Sequence, residues 1–342
     1  MCAAFTLRSV FSVRVLLAAA GLWVAGGERA VGIVLYDTDN ALTNTTAPTG
    51  SLAGSGWDFQ GEYGSYLGTM IGPQHFITAQ HFGTQGGTFV STAEFNGVAD
   101  ATYTIDAAAN GGQGYWNIAG TDLRVFKVVE TFSSYATLYS GSGEVGLDLV
   151  VFGRGGPRGA EVMLGPEAKG WLHTGADGVA RWGENTVSAT LMSGVGPLLA
   201  ATFSAVAVQN EATLSVGDSG GGVFVNDGGL WKLAGINYGV DGLFDTNNTT
   251  GDGMEFSAAL FDKGGFYEGS DGTGWNLVPD LAGDVPSRMY SSRISSSLTE
   301  IQGIVGVPEP GGLLLLAVAG LAALAERRRA VGAGVTFSAR QR

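Results

Sequence analysis

Glycine punctuation limits this chain more than any other feature. One residue in six is glycine, 57 of 342. No G-x-y period runs through them, which excludes a collagen-like triple helix. The glycines fall instead between short apolar runs, such as Gly32 to Tyr36, Leu149 to Phe152, Gly222 to Val225 and Trp231 to Ile236. These runs are rich in β-branched and aromatic residues and are bounded by Gly, Asp or Asn, the pattern of short strands between tight turns. Asn226-Asp227-Gly228-Gly229 lies between two of them and reads as a hairpin turn. The middle of the chain holds no long apolar 3.6-residue period and no repeat of solenoid or propeller length, so helical bundles and repeat folds are excluded. Short strands spaced over roughly 270 residues predict an all-β protein built from barrels or sandwiches, with two packed together as one arrangement. The loosest connection is expected at Ser133 to Glu144.

The two ends follow different rules. Residues 1–27 carry Arg8 and Arg14, then the apolar run Val15 to Ala25, then small residues. That order is a secretory signal peptide, and the run is too short for an ordinary membrane span. Its removal would take Cys2, the only cysteine. A disulfide scaffold and a multi-cysteine metal site are therefore excluded. At the other end, Val307-Pro308-Glu309-Pro310 precedes an apolar stretch from Gly311 to Ala325, and Glu326-Arg327-Arg328-Arg329 follows. As a helix the apolar stretch would be about 22 Å long, with the arginines on the cytoplasmic side. This combination resembles the PEP-CTERM sorting signal of Gram-negative bacteria. The resemblance implies a short apolar anchor helix over 307–329, with a basic tail over 330–342. It also implies recognition by an exosortase-type enzyme, transient contact with the inner membrane, and delivery to the cell surface, outer membrane or extracellular matrix.

The residues outside 31–306 hold eight of the 18 basic residues and three of the 31 acidic ones, so the segment between them carries about −18 rather than the −13 of the whole chain. Nucleic acid is therefore excluded as the main partner, because binding phosphates needs clustered Lys and Arg. The acids read as surface solvation. Asp245 to Asp252 carries oxygen ligands for calcium but misses the EF-hand spacing, and reads as a solvated loop. No metal site and no cofactor is expected.

Only three histidines exist, His75, His81 and His173. Gly217-Asp218-Ser219-Gly220-Gly221 places a serine between glycines, where its Oγ can stand on a tight turn and backbone N–H groups can converge on an oxyanion. Taken alone, the spacing also fits the nucleophile elbow of α/β-hydrolases. That fold needs a histidine after the serine, and none follows Ser219. Upstream, His81 stands just beyond an apolar strand ending at Thr78-Ala79. Asp122 opens the apolar run Leu123 to Val128 and can orient an imidazole through Nδ1–H, with Asp100 and Asp106 as nearby alternatives. His75 and His173 read as structural.

Thr78-Ala79-Gln80-His81-Phe82, Asp122 to Val128 and Gly217 to Gly221 together resemble trypsin-like serine proteases of the chymotrypsin family. The order His81, Asp122, Ser219 and the separations of 41 and 97 residues are similar to those of the family. The resemblance implies two packed six-stranded antiparallel barrels within 31–306, near 31–140 and 141–300, with the site between them. It implies a serine endopeptidase acting on protein or peptide substrates. Ser219 would be the nucleophile, His81 the base and Asp122 the orienting acid, with the N–H groups of Gly217 and Ser219 as oxyanion hole. Thr213 would floor the specificity pocket and Asn237, Tyr238 and Gly239 would line substrate, with Asp241 near the pocket mouth. The family's usual cysteine after the histidine is Phe82 here. In activated members the aspartate before the serine pairs with a new α-amino terminus. No clear activation site precedes Ile33, and a terminus at Val31 or Ile33 is the candidate. The altered strand at Asn237 and Tyr238 keeps a second class open, an inert surface adhesin or matrix protein on the same fold. A subtilisin-like order through Asp37 or Asp39 is a third, poorly matched around Ser219.

Overall fold

The structure is a computed structural model that describes residues 32–205 and 208–306. The signal peptide, the PEP-CTERM segment and the basic tail expected from the sequence lie outside the described residues. Within them the protein is all-β, as the glycine-bounded runs predict, and no helix is long and apolar enough to cross a membrane.

Two seven-stranded antiparallel sheets dominate. The N-terminal sheet runs, edge to edge, through Ala101–Thr104, Thr88–Ser91, Gln60–Tyr63, Tyr66–Gly72, His75–Ala79, Leu123–Lys127 and Tyr115–Asn117. It curls on itself: Ile105, just past one strand end, bridges Val128, just past another. Inside the curl lie rings, with Phe76 stacked on Phe89 at 4.3 Å and on Phe126 at 5.0 Å, and Tyr63 tilted against both Phe76 and Phe126. Aromatic side chains on one face of a curled sheet fill such a space with few residues.

The C-terminal sheet runs through Arg181–Thr186, Asp148–Gly153, Gly222–Asp227, Leu230–Val240, Arg288–Arg293, Gly196–Thr202 and Ala189–Ser193. The expected hairpin is present, with Asp227 opposite Leu230. Its two turn residues, Gly228 and Gly229, sit at φ 63° and 88°, which glycine adopts without strain. Small three-stranded sheets flank this half, and a short ladder joins Val34–Leu35 to Ala212–Thr213.

One buried cluster spans both sheets, joining Leu67, Ile77 and Leu123 to Phe152, Phe224, Leu233 and Ile236. The segment expected as the loosest connection runs between the two sheets without a strand of its own and is pinned to both. Ala136 N–H donates to Met70 O in one sheet and Tyr139 N–H to Leu233 O in the other. Glu144 is fully buried against Arg293 and Ser295. The chain then returns through the helix Leu298–Val305, which buries Ile301 in the shared core and ends on Gly306 at φ 73°.

Candidate active site

Register sets the first contact. His75–Ala79 and Leu123–Lys127 are neighbours, with Ala79 opposite Leu123. The ladder continues one step, Gln80 N–H donating to Asp122 O at 2.7 Å. His81 and Asp122 therefore emerge at the same end of adjacent strands. Asp122 Oδ1 accepts the backbone N–H of His81 at 2.8 Å, and Oδ2 lies 2.7 Å from His81 Nδ1. The carboxylate is buried, so it grips ring and backbone together. With Nδ1 as donor, Nε2 is left as the acceptor nitrogen. That Nε2 lies 2.8 Å from Ser219 Oγ.

Ser219 comes from the other sheet, on the loop before Gly222–Asp227. The glycines around it have steric reasons. Gly220 is at φ 82°, and a Cβ there would lie 2.3 Å from Thr78 Oγ1 and 2.4 Å from Leu67 O, both of the N-terminal sheet. Gly217 is at φ 100°. The amide N–H groups of Gly217 and Ser219 donate to no other protein group among the described residues. Two backbone donors thus remain open beside the hydroxyl, the requirement for an oxyanion site.

Asp218, between them, points inward and is buried. Its Oδ1 accepts from Gly155 N–H at 2.7 Å, and its Oδ2 from Ser215 N–H at 2.7 Å and Ile33 N–H at 3.3 Å. Burial pushes its carboxyl up to about 6, against these bonds. Of the two candidate termini, Val31 lies outside the described residues, and the nitrogen of Ile33 reaches Asp218. Ile33 itself sits at φ 55°, a left-handed conformation that a β-branched residue adopts at a cost.

The residues expected to line substrate divide. Tyr238 presents its ring to His81, centroids 5.8 Å apart and nearly perpendicular. A bulge places it there: Asn237 pairs with Ser291 and Gly239 with Tyr290, leaving Tyr238 as the extra residue. Gly239 has open space where a side chain would be. Asn237 is different. It is fully buried, and its Nδ2 donates to Phe152 O at 2.7 Å and Asp218 O at 3.0 Å, so it fastens the serine loop from within. Thr213 is buried in the ladder opposite Val34. Asp241 is engaged by Lys263 and by the hydroxyl of Tyr290.

The remaining histidines are set apart. Burial lowers both His75 and His173 to about 4, and His173 Nδ1 meets Ser257 Oγ at 3.0 Å. Asp106 binds Lys127, and Asp100 accepts from Ala93 N–H, so neither competes with Asp122. Phe82, in place of a cysteine, stacks on Tyr66 at 4.1 Å and meets His81 edge-on at 5.6 Å. The sequence reading missed this packing role. A large aromatic beside the histidine, with no cysteine left in the strand region, was the available signal. Among the described residues no group of three or more His, Cys, Asp or Glu is arranged to hold a metal ion.

No protein-family model matches the chain, and no curated protein matches it either.

Proposed function

We propose that this chain is a serine endopeptidase of the trypsin-like, chymotrypsin family, hydrolysing peptide bonds through an acyl-enzyme. The observation that carries the reading is the continuous hydrogen-bonded set Asp122–His81–Ser219, each link between 2.7 and 2.8 Å, beside two open backbone N–H groups. Ser219 Oγ attacks the scissile carbonyl carbon and passes its proton to His81 Nε2. Asp122 holds the ring in the required tautomer and stabilises the imidazolium. His81 then protonates the leaving amine, and water repeats the cycle on the acyl-enzyme. The N–H groups of Gly217 and Ser219 receive the oxyanion, each worth about 3–4 kcal/mol of barrier. We read the two seven-stranded sheets as the two barrels of that fold, each with one strand more than six. Tyr238 and Gly239 flank the substrate strand, and Thr213 lies at the pocket base. A chain cut before Ile33 would place an ammonium where its N–H meets Asp218, giving the buried carboxylate a cation.

The targeting ends assign the place of work. Signal peptidase and an exosortase-type enzyme act in turn at the inner membrane, and the protein reaches the cell surface, outer membrane or matrix. Its substrate is protein or peptide.

The test is hydrolysis of casein or an ester substrate by the exported protein, with labelling by a fluorophosphonate. Wild type should turn over substrate and label stoichiometrically at Ser219, and Ser219→Ala should abolish both. Activity that survives in Ser219→Ala overturns the mechanism. A folded wild type that neither labels nor turns over assigns the chain to the inert adhesin class.

A further inference from the structure

The loop Asp245 to Asp252 is mostly exposed, as its composition suggests, but Asp245 departs from the solvated reading. Asp245 ends the strand Leu243–Asp245 and is fully buried. Its Oδ1 accepts the N–H of Asn247 at 3.0 Å, while its Oδ2 has no hydrogen-bond partner. Among the described residues no Lys, Arg or His forms an ion pair with it, and the cation of this region, Lys263, is held by Asp241 and Glu268 at 2.8 Å each. A buried carboxylate with an open oxygen and no countercharge is costly, and a bound cation removes that cost. The bond from Asn247 N–H to Oδ1 sets the carboxylate at the base of the loop, with the buried Oδ2 beside it still without a partner.

We propose that this loop binds a calcium ion, with Asp245 as its buried anchor. Asn247, Thr249 and Gly251 follow Asp245 at every second position, an alternation that calcium loops use to turn oxygens inward. Asn247 Oδ1 accepts Thr249 N–H at 2.6 Å, and its Nδ2 holds Asp252 Oδ2 at 2.9 Å. Amide and carboxylate oxygens carry two lone pairs, so one backbone bond leaves the second free for a cation. Asp271 reaches the same turn, its Oδ2 lying 3.9 Å from where a Cβ on Gly251 would stand. The excursion is closed by reciprocal backbone bonds between Phe244 and Phe256, both 2.9 Å, so the oxygens hang from a fixed neck.

The donor set selects the metal. It holds oxygen only, which disfavours transition metals that prefer imidazole or thiolate. The turn is irregular and mixes carboxylate, amide, hydroxyl and carbonyl oxygens, which suits calcium's flexible six to eight ligands better than magnesium's strict octahedron. A site anchored by one buried acid and completed by neutral oxygens needs no cluster of three acidic groups. The EF-hand glycine and bidentate glutamate are replaced by Thr250 and Phe256. The expected affinity is therefore that of weak extracellular modules, a Kd of about 10⁻⁴–10⁻³ M.

Terbium luminescence on the full chain tests the site, because Trp275 donates Nε1–H to Asp271 Oδ1 at 3.2 Å and can sensitise a bound lanthanide. The expected result is a saturable terbium signal displaced by calcium at about 10⁻⁴–10⁻³ M. Tm should rise by about 5 °C between EDTA and about 10 mM calcium, with no rise in equal magnesium. Asp245→Asn should abolish both effects. Asp252→Ala, at an exposed position that leaves folding intact, should weaken calcium about tenfold. No terbium signal, no calcium-dependent Tm shift, or effects unchanged in Asp252→Ala overturns the proposal and assigns any binding to scattered surface carboxylates.

Discussion

The two halves of the molecule bury different chemistry. The N-terminal sheet closes over stacked rings, and its buried charged side chains are Asp122 of the site and Arg124, which lies over the Tyr115 ring and binds Asn117. Beyond residue 140 the interior holds Glu144, Lys169, Arg181, Glu211, Asp218, Asp241, Asp245 and Asp262. Some of these are paired, as in Lys169 with Asp262 at 2.5 Å, and others depend on neutral donors alone. The difference bears on how each half holds its share of the site. His81 and Asp122 sit on a dry scaffold whose register alone brings them together. The Ser219 loop is fastened by buried polar groups, the carboxylate of Asp218 and the amide of Asn237. With no disulfide available to either half, apolar packing carries the first and hydrogen bonding the second.

The largest effect is expected from breaking the dry half. Phe76 is fully buried and stacks on both Phe89 and Phe126. Phe76→Ala should cost about 3–5 kcal/mol, from lost burial and the cavity left behind. Urea unfolding at neutral pH measures it, and a loss below about 1 kcal/mol would remove the ring stack as the source of that half's stability.

The next effect belongs to the polar half. Glu211 is buried, its Oε1 accepting from Ser204 N–H and Asn185 Nδ2 while Oε2 has no partner. Burial raises its carboxyl to about 7. A folded-state value above the unfolded 4.5 means that the native state binds the extra proton between those limits. Its ionisation therefore costs stability, and the cost grows as pH rises from about 4.5 to 7. Glu211→Gln keeps the accepting oxygen and removes the charge. It should stabilise the protein by up to about 3 kcal/mol at pH 8, with the gap closing below pH 5. His75 and His173, lowered to about 4, act in the opposite sense, adding instability as pH falls below 6.5. A gap between wild type and variant that stays constant with pH would break the contrast between the halves.

The same contrast governs how much was legible in the sequence. The strands, the Gly228-Gly229 turn and the order His81, Asp122, Ser219 could be read because each rests on local composition or on residue types few enough to enumerate. Asn237 could not be placed, because neighbours on one strand point to opposite faces and only the packing decides that Asn237 turns inward against Phe152 and Asp218. Asp245 read as solvated because burial of a loop acid is decided by its tertiary neighbours, and here Asp245 ends a strand paired with Tyr267–Ser270 beyond the loop. The pinning of residues 133–144 is likewise long-range, set by backbone bonds to Met70 and Leu233 that leave no mark on composition.

The smallest effect should fall where the halves meet. Asp218 joins the N-terminal segment at Ile33, the strand end at Gly155 and the serine loop at Ser215. Both of its oxygens accept from backbone N–H groups, so no orientation of an asparagine satisfies them all. In Asp218→Asn the amide NH₂ must face either Gly155 N–H or the pair from Ser215 and Ile33, a donor against a donor, at a cost of about 1–3 kcal/mol. In the chain uncut before Ile33, removing a charge that burial penalises offsets that cost, so overall stability at neutral pH should change little. The local displacement remains. A Cβ on Gly217 would stand 3.0 Å from Gly155 Cα, so a shift at Gly155 reaches the proposed oxyanion donor directly. The rate of fluorophosphonate labelling at Ser219 should therefore fall by about tenfold, or about 1.4 kcal/mol of barrier, while the unfolding midpoint stays near wild type. An equal loss of stability and labelling would make Asp218 part of the general core rather than the fastening of the serine loop. An unchanged labelling rate would separate the buried carboxylate from the geometry of the site altogether.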